Sequence, residues 1–328
     1  MTEALLQVRD LHTYFPTGRG VVKAVEGVSF DVRAGEILGV VGESGCGKSI
    51  TALSVVRLLQ PPGRIVSGSV RFDGVELTEL AEDGMQELRG RRIAMIFQDP
   101  MTSLNPVFRI GWQVAEPLRL HRSAGRAAAA REAISMLGNV GIPKPAERAR
   151  DYPHQFSGGM RQRALIASSL ITSPALLIAD EPTTALDVTV QAQILELIRS
   201  ATVEYDTATL LITHDLGVVS GLCDRVVVMY AGKVVESGST EEVLTRPRHP
   251  YTSALLRSLP RIDRPGKYRL AAIEGFPPDP AYKPSGCAFH PRCAYKLPAC
   301  VESEPKLLAG EGSAATACWY AQAGGELE

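Results

Sequence analysis

Short apolar runs bounded by glycine, proline and polar residues recur along the chain, and their spacing predicts strands alternating with helices. Residues 5–9 (Leu-Leu-Gln-Val-Arg) and 25–32 (Val-Glu-Gly-Val-Ser-Phe-Asp-Val) alternate apolar and polar side chains on either side of Gly18 and Gly20, and read as antiparallel strands. Ile37 to Val41 is a continuous apolar strand, and a helical pattern follows from Thr51 to Leu59. Gly68 to Leu77 reads as a hairpin, and Arg92 to Gln98 as a buried strand ending in a polar residue. From about Asp99 the texture changes to turns and then helices near 110–120 and 125–140, which carry the alanine run Ala127 to Ala130. This helical insertion ends at Phe156, after which Ser157 is placed to cap a helix running to about Ile171.

The second half repeats the alternation. Pro174 to Ala179 is a short, wholly apolar run, the mark of a central strand in a parallel sheet covered on both faces. Asp187 is a cap for a helix from Val188 to about Tyr205, and Thr209 to Thr213 is the next buried strand. Arg225 to Tyr230 and Lys233 to Glu236 flank Ala231-Gly232 as a closing hairpin. Beyond about Thr245 the periodicity fades. Seven Arg/Lys stand against one Asp between Arg246 and Arg269, and prolines interrupt the chain from Pro277 to Pro305. A domain boundary is expected near residue 245.

Composition narrows the class. The 328 residues suit one large domain with an appendage, or two domains. A net charge of −1, from 35 basic and 36 acidic residues, supplies no global field for nucleic acid or an anionic membrane surface. Without an 18-residue uncharged apolar stretch or a basic-then-apolar leader, a cytosolic protein is expected. Six cysteines then read as metal ligands or buried apolar groups rather than disulfides.

The chemistry is concentrated at strand ends. Gly42-Glu43-Ser44-Gly45-Cys46-Gly47-Lys48-Ser49 leaves an apolar strand and enters a helix, so its glycines and the helix N-terminus converge on one point. This is the pattern of a phosphate cradle, in which Lys48 reaches the β- and γ-phosphates and the Ser49 hydroxyl ligates magnesium. Asp180 and Glu181 stand together at the carboxyl end of the run 174–179, where two carboxylates call for a metal or a catalytic duty. Gln98 and His214 end two further strands, and open α/β sheets bind ligands at that edge. Two glycines after Ser157 are costly in a first helical turn, which favours close approach of a ligand there. Phe15 could stack on a purine or serve the core.

Taken in order, the phosphate loop, Gln98, Ser157-Gly158-Gly159, Asp180-Glu181, Asp187 and His214 resemble the ATP-binding subunits of ABC transporters over residues 1 to about 245. The resemblance implies an α/β fold: a RecA-like P-loop ATPase core with an antiparallel β subdomain and a helical subdomain, here about 99–172. It also implies a head-to-tail dimer that sandwiches two ATP molecules. Carried over, Gly42, Ser44, Gly45, Cys46, Gly47, Lys48, Ser49 and Ile50 bind the nucleotide phosphates, and Phe15 stacks on adenine. Ser49, Gln98 and Asp180 hold Mg2+, Glu181 is the general base, and His214 contacts the γ-phosphate. Ser157, Gly158 and Gly159 form the signature, and with Asp187 of the D-loop they serve ATP held by the opposite subunit. The signature reads Phe-Ser-Gly-Gly-Met where many members have Leu-Ser-Gly-Gly-Gln. With residues 97–106, His249-Pro250-Tyr251-Thr252 and the stretch Gly286 to Cys293, this narrows the resemblance to the dipeptide/oligopeptide importers and their nickel- and glutathione-importing relatives.

That resemblance implies an ATPase that energises import of di- or oligopeptides, at the cytoplasmic face of the membrane. Its implied partners are a second, related ATPase subunit, two permease subunits and an extracytoplasmic binding protein, with no nucleic acid. Nickel or glutathione import is the neighbouring alternative. A soluble ABC ATPase acting on DNA or ribosomes would be expected to fuse two cassettes or carry a long coiled coil, and neither pattern is present. A metal- or redox-sensing ATPase is suggested by the tail alone.

That tail, 246–328, carries Cys287, Cys293, Cys300 and Cys318, separated by five, six and seventeen residues. Too few periodic apolar residues surround them to build a core, so a four-thiolate metal centre is expected as a staple. The C-x₂₋₄-C pair usual for structural zinc is missing, and the spacings match neither common ferredoxin pattern, so spacing leaves the metal open. The resemblance favours a [4Fe–4S] cluster over zinc.

Overall fold

In a computed structural model, residues 4–18, 20–99, 103–184, 186–259, 273–310 and 312–327 are described. Pro100, Met101 and Thr102 of the motif at 97–106, and most of the basic stretch after Arg257, lie outside them. The chain forms two compact units that interleave along the sequence. One comprises residues 1–5, 32–37 and 79–212, and the other residues 6–31, 38–78 and 213–328.

In the second unit β1 (Ala4–Thr17) lies between β2 (Gly20–Arg33) and β4 (Arg64–Phe72), with β5 (Val75–Glu76) outside β4. Both opening strands run 14 residues, well past the alternating segments that announce them. The expected hairpin is β4–β5, paired antiparallel. β3 (Ile37–Val41) is buried at all five positions and pairs parallel with β9 (Arg225–Tyr230). β9 turns antiparallel into β10 (Lys233–Ser239). Ala231 and Gly232 both take positive φ, 48° and 85°, as a two-residue hairpin turn requires.

The expected helix at 51–59 is α1 (Lys48–Val55), which starts earlier and ends sooner. Arg57 goes left-handed (φ 53°) and redirects the chain ahead of Pro61-Pro62. The tail adds two short strands to the same sheet: β12 (Ala315–Thr316) pairs antiparallel with β10, and β11 (Leu308–Ala309) pairs with β12. Further tail order comes from an aromatic cluster. Tyr230 on β9 packs with Tyr251 and Phe289 at ring separations of 4.6 and 5.2 Å, and all three are buried. The tail therefore draws on β9 for a core that its own periodicity does not provide.

The first unit holds the parallel strands β6 (Ile93–Ile96), β7 (Leu176–Asp180) and β8 (Ala208–Thr213), with β7 in the middle. β7 and β8 are buried throughout, as unbroken apolar runs predict. A short helix, α2 (Glu82–Leu88), precedes β6 and was not anticipated by periodicity. The helical insertion is α3 (Ile110–His121) and α4 (Arg126–Asn139), which pack against each other and against α5 (Gly158–Leu170). α6 (Val188–Tyr205) follows β7 and ends at Asp206, which is left-handed (φ 49°).

Candidate functional site

The phosphate loop belongs to the second unit. β3 delivers Gly42, whose φ of 153° and surroundings exclude a side chain: a Cβ would stand 2.2 Å from the Met229 carbonyl oxygen. Gly47 (φ 105°) opens α1 with the same restriction, since a Cβ would meet the Ala24 carbonyl at 2.4 Å. Ser44 and Gly45 are exposed at the tip. Lys48 is only 4% exposed, and its Nζ donates to the carbonyls of Gly42 (2.8 Å) and Glu43 (3.0 Å). The ammonium is thus held inside the curl of the loop, where a phosphate would replace two carbonyl oxygens. The Cys46 thiol is buried beneath it, and burial pushes its pKa up.

Phe15 is half-buried on β1, and Gly63 lies against its ring: a Cβ there would come within 2.3 Å of the ring edge. Only a glycine leaves that ring its place. His214 is exposed after β8, two residues before the start of α7 (Leu216–Leu222). Asp215 caps α7 by accepting from the Gly217 N–H at 2.7 Å, and its own N–H donates to Thr213 Oγ1 at 3.0 Å.

The first unit brings together Gln98, Glu181 and Thr184. Asp180, 4% exposed, is the last residue of β7. The chain then turns through a left-handed Glu181 (φ 45°), whose N–H is fixed on the Ile212 carbonyl at 2.9 Å. That conformation is unfavourable for a side-chain-bearing residue. Gln98 Nε2 donates to Glu181 Oε2 at 3.2 Å, and Thr184 Oγ1 donates to the same oxygen at 2.9 Å. Thr184 carried no signal in the sequence beyond following Glu181 by three residues.

In the same unit Ser157 caps α5, its Oγ accepting from the Met160 N–H at 3.3 Å, and Asp187 caps α6 by accepting from Val190 N–H at 3.0 Å. The two helix starts are neighbours. Gly158 lies against Leu186, and a Cβ on Gly159 would stand 2.7 Å from Val190 Cγ1. The glycines after Ser157 thus serve packing against α6 as well as leaving the exposed helix end open to an anion.

All six cysteines of the chain are free, and among the four in the tail the thiols lie near enough to act on one another's charge. Burial, with the neighbouring thiols as a further cause, pushes Cys287 and Cys293 up to about 11, and raises Cys318. Four thiols suit a metal that takes thiolates. Yet among the described residues no group of three or more His, Cys, Asp or Glu side chains is arranged to hold a metal ion. The four-thiolate centre expected from the sequence is therefore not supported by the geometry of the described residues.

A phosphate loop entering α1, a carboxylate pair closing a parallel strand and a glycine-led capped helix together define a P-loop ATPase of the cassette type. Comparison with known proteins gives the family. The ABC transporter family model matches residues 25–184, and the model of the oligopeptide/dipeptide transporter C-terminal region matches residues 235–300. The chain is 52% identical, over 97% of its length and 95% of the other, to "Probable peptide ABC transporter ATP-binding protein y4tR" of Sinorhizobium fredii. It is 49% identical to dipeptide transport ATP-binding protein DppD of Bacillus subtilis, over 97% of this chain and 95% of that one. With oligopeptide transport ATP-binding protein OppD of Escherichia coli it shares 50% identity, over 92% of this chain and 89% of that one. The dimeric ATP-binding cassette MJ0796, solved with ADP and Pi, superposes with a TM-score of 0.65 at 25% identity, covering 72% of this chain and 98% of that structure. The chain belongs to the ABC transporter family of ATP-binding proteins and is an ABC ATPase.

Proposed function

We propose that this chain is the subunit whose ATP hydrolysis energises import of dipeptides or oligopeptides through a membrane permease. The observation that carries this reading is the 52% identity to a peptide transporter ATP-binding protein over 97% of the chain, which runs through the tail as well as the cassette. Residues 1–245 form the nucleotide-binding domain in this reading, with a RecA-like core, an antiparallel β subdomain and a helical subdomain at about 99–172. Residues 246–328 are the importer-type extension.

Lys48 binds the β- and γ-phosphates, and the loop from Gly42 to Ile50 cradles them with backbone N–H groups. Phe15 stacks on adenine. The hydroxyl, carboxamide and carboxylate oxygens of Ser49, Gln98 and Asp180 suit Mg2+, which when bound neutralises charge on the transferring phosphoryl group. Glu181 orients the attacking water and takes its proton, with the carboxylate steadied by Gln98 and Thr184. His214 contacts the γ-phosphate. Ser157, Gly158, Gly159 and Asp187 act on ATP bound by a second, related ATPase subunit.

The two ATPase subunits sit on the cytoplasmic side of two permease subunits, and an extracytoplasmic binding protein delivers the peptide. No helix among the described residues is long and apolar enough to cross a membrane, which agrees with a peripheral subunit. In this reading Cys287, Cys293, Cys300 and Cys318 would hold a [4Fe–4S] cluster as a structural staple, which rests on the family resemblance and on the thiols of Cys287 and Cys293 acting on their neighbours' charge, not on a metal-holding arrangement among the described residues. Anaerobically purified protein that is brown and contains iron would support the cluster; colourless protein with stoichiometric zinc would replace it, and metal-free folded protein would remove both. The function is tested by reconstituting the chain with its permease and binding protein in vesicles. Di- or oligopeptides should stimulate ATP turnover and accumulate. Stimulation by nickel or glutathione, and not by peptides, would overturn the cargo.

A further inference from the structure

We propose that the C-terminal extension is a working part of the ATP site, with Arg292 as a positioning residue that neutralises and anchors Glu43 of the phosphate loop. The inference rests on the reading of that loop as the ATP phosphate site. Glu43 is an awkward residue there, because a free carboxylate beside a triphosphate repels it. The tail answers that charge. Arg292 grips the carboxylate with both arms of its guanidinium, Nη1 to Oε2 at 2.7 Å and Nη2 to Oε1 at 3.1 Å. Its side chain is 4% exposed, while that of Glu43 is 24% exposed.

The fork is itself held from behind. Arg292 Nε donates to the Glu274 carbonyl at 3.0 Å, Nη2 to the Ile273 carbonyl at 3.3 Å, and Nη1 to the Tyr230 hydroxyl at 3.3 Å. Its guanidinium carbon lies 5.9 Å from the ring centres of both Tyr230 and Phe289. A second tail residue grips the same peptide: the Glu43 N–H donates to the buried Tyr251 hydroxyl at 2.7 Å. Lys48 holds the Glu43 carbonyl from the other side at 3.0 Å. One loop residue is therefore fixed through its N–H, its carbonyl and its side chain, and two of those holds come from the tail. A bidentate arginine pair with one partner this deeply buried is specific in geometry, and loss of the arginine leaves a carboxylate uncompensated next to the anion.

The test uses the intact chain in a Glu181→Gln background, titrated with ATP and Mg2+ at fixed ionic strength, with thermal melting as the check on folding. Arg292→Ala should weaken ATP binding at least tenfold, about 1.4 kcal/mol. Adding Glu43→Gln to Arg292→Ala should bring affinity back to within about threefold of the parent, since the repelling charge is gone. Arg292→Lys should fall between, because an ammonium keeps the charge and loses the fork. With Glu181 intact, Arg292→Ala should raise KM for ATP while kcat at saturating ATP changes less. Parent-like affinity in Arg292→Ala, or a double variant that binds no better than the single, would overturn the proposal. Should Arg292→Ala fail to fold, parent-like affinity in Arg292→Lys would overturn it equally. Lys48→Ala separates the two readings: if it binds ATP normally, the loop assignment itself has failed.

Discussion

In the proposed mechanism Glu181 is the base, and a few atoms fix it in place. Its backbone is bent left-handed at the strand end, and two neutral donors, Gln98 and Thr184, meet on one carboxylate oxygen. Glu181→Gln is expected to bind ATP and turn over ~10²- to 10⁴-fold more slowly, the usual cost of a lost general base; near wild-type turnover in the reconstituted transporter would remove Glu181 from that role. Thr184→Val keeps the base and loses one of its guides. It should lower kcat by up to about 10²-fold with KM little changed, and steady-state kinetics at saturating ATP would show it. Glu181 was legible from sequence because a carboxylate pair after an apolar run stands out. Thr184 was not, because a hydroxyl three residues later has no period or charge to mark it.

Helix starts carry the next set of consequences. α8 (Pro250–Arg257) begins at His249, whose Nδ1 accepts from the Tyr251 N–H at 3.0 Å. Complete burial lowers the His249 pKa from 6.5 to about 3, so the folded protein holds a neutral ring and the unfolded chain takes up a proton first. A depressed folded-state pKa gives stability that is present above 6.5 and lost as pH falls toward about 3. The buried Glu236 carboxyl, raised by burial and joined to the Arg248 and His249 N–H groups, works in the opposite sense and favours the folded state on acidification. Comparison with His249→Asn isolates the histidine: this variant keeps a capping side chain and should lose less stability than the wild type between pH 7 and pH 5 in thermal melts. An equal or larger loss would show that His249 does not drive the acid response. At the other functional helix, Gly159→Ala drives a Cβ to 2.7 Å from Val190. Overpacking of this kind costs ~1–3 kcal/mol, and the shift between α5 and α6 should lower ATP turnover more than it lowers ATP affinity. Unchanged melting and turnover would mean that α6 yields freely.

At the scale of the whole chain, the proposed two-subunit site turns on the open end of α5. Ser157 and Gly158 are exposed at a helix N-terminus that is capped by the Ser157 side chain and packs against α6 through Gly158 and Gly159. If that end serves ATP on a second subunit, Glu181→Gln should associate when ATP and Mg2+ are added, seen by light scattering, and Ser157→Arg should abolish association while ATP binding to the single chain persists. ATP-independent mass, or full turnover in a proven monomer carrying Ser157→Arg, would contradict the sandwich. The tail has its own pH signature. Cys287 and Cys293, raised to about 11, give the metal-free protein stability that is present below the ordinary thiol value of 9.0 and lost as pH rises through about 11. Metal uptake should release protons and strengthen with pH; uptake independent of pH would exclude these thiols as ligands.

The strands β3, β7 and β8, the capped helices α5 and α6 and the loop 42–49 were readable in the order of residues, because each is written in a local code. Burial on both faces demands unbroken apolar runs, helix starts demand caps, and a phosphate cradle demands glycines at fixed spacing. The extra length of β1 and β2, the early end of α1 and the presence of α2 were not readable, since pairing partners and chain direction overrode weak local preference. The tail departs furthest from its sequence. Its cysteines suggested a metal staple, yet the geometry shows β12 added to β10 and Tyr251 and Phe289 packed on Tyr230, contacts formed between residues 21 to 80 positions apart. The grip of Arg292 on Glu43 spans 249 positions. An ion pair leaves no periodic trace in either segment that makes it, so folding alone brought that arginine to the phosphate loop.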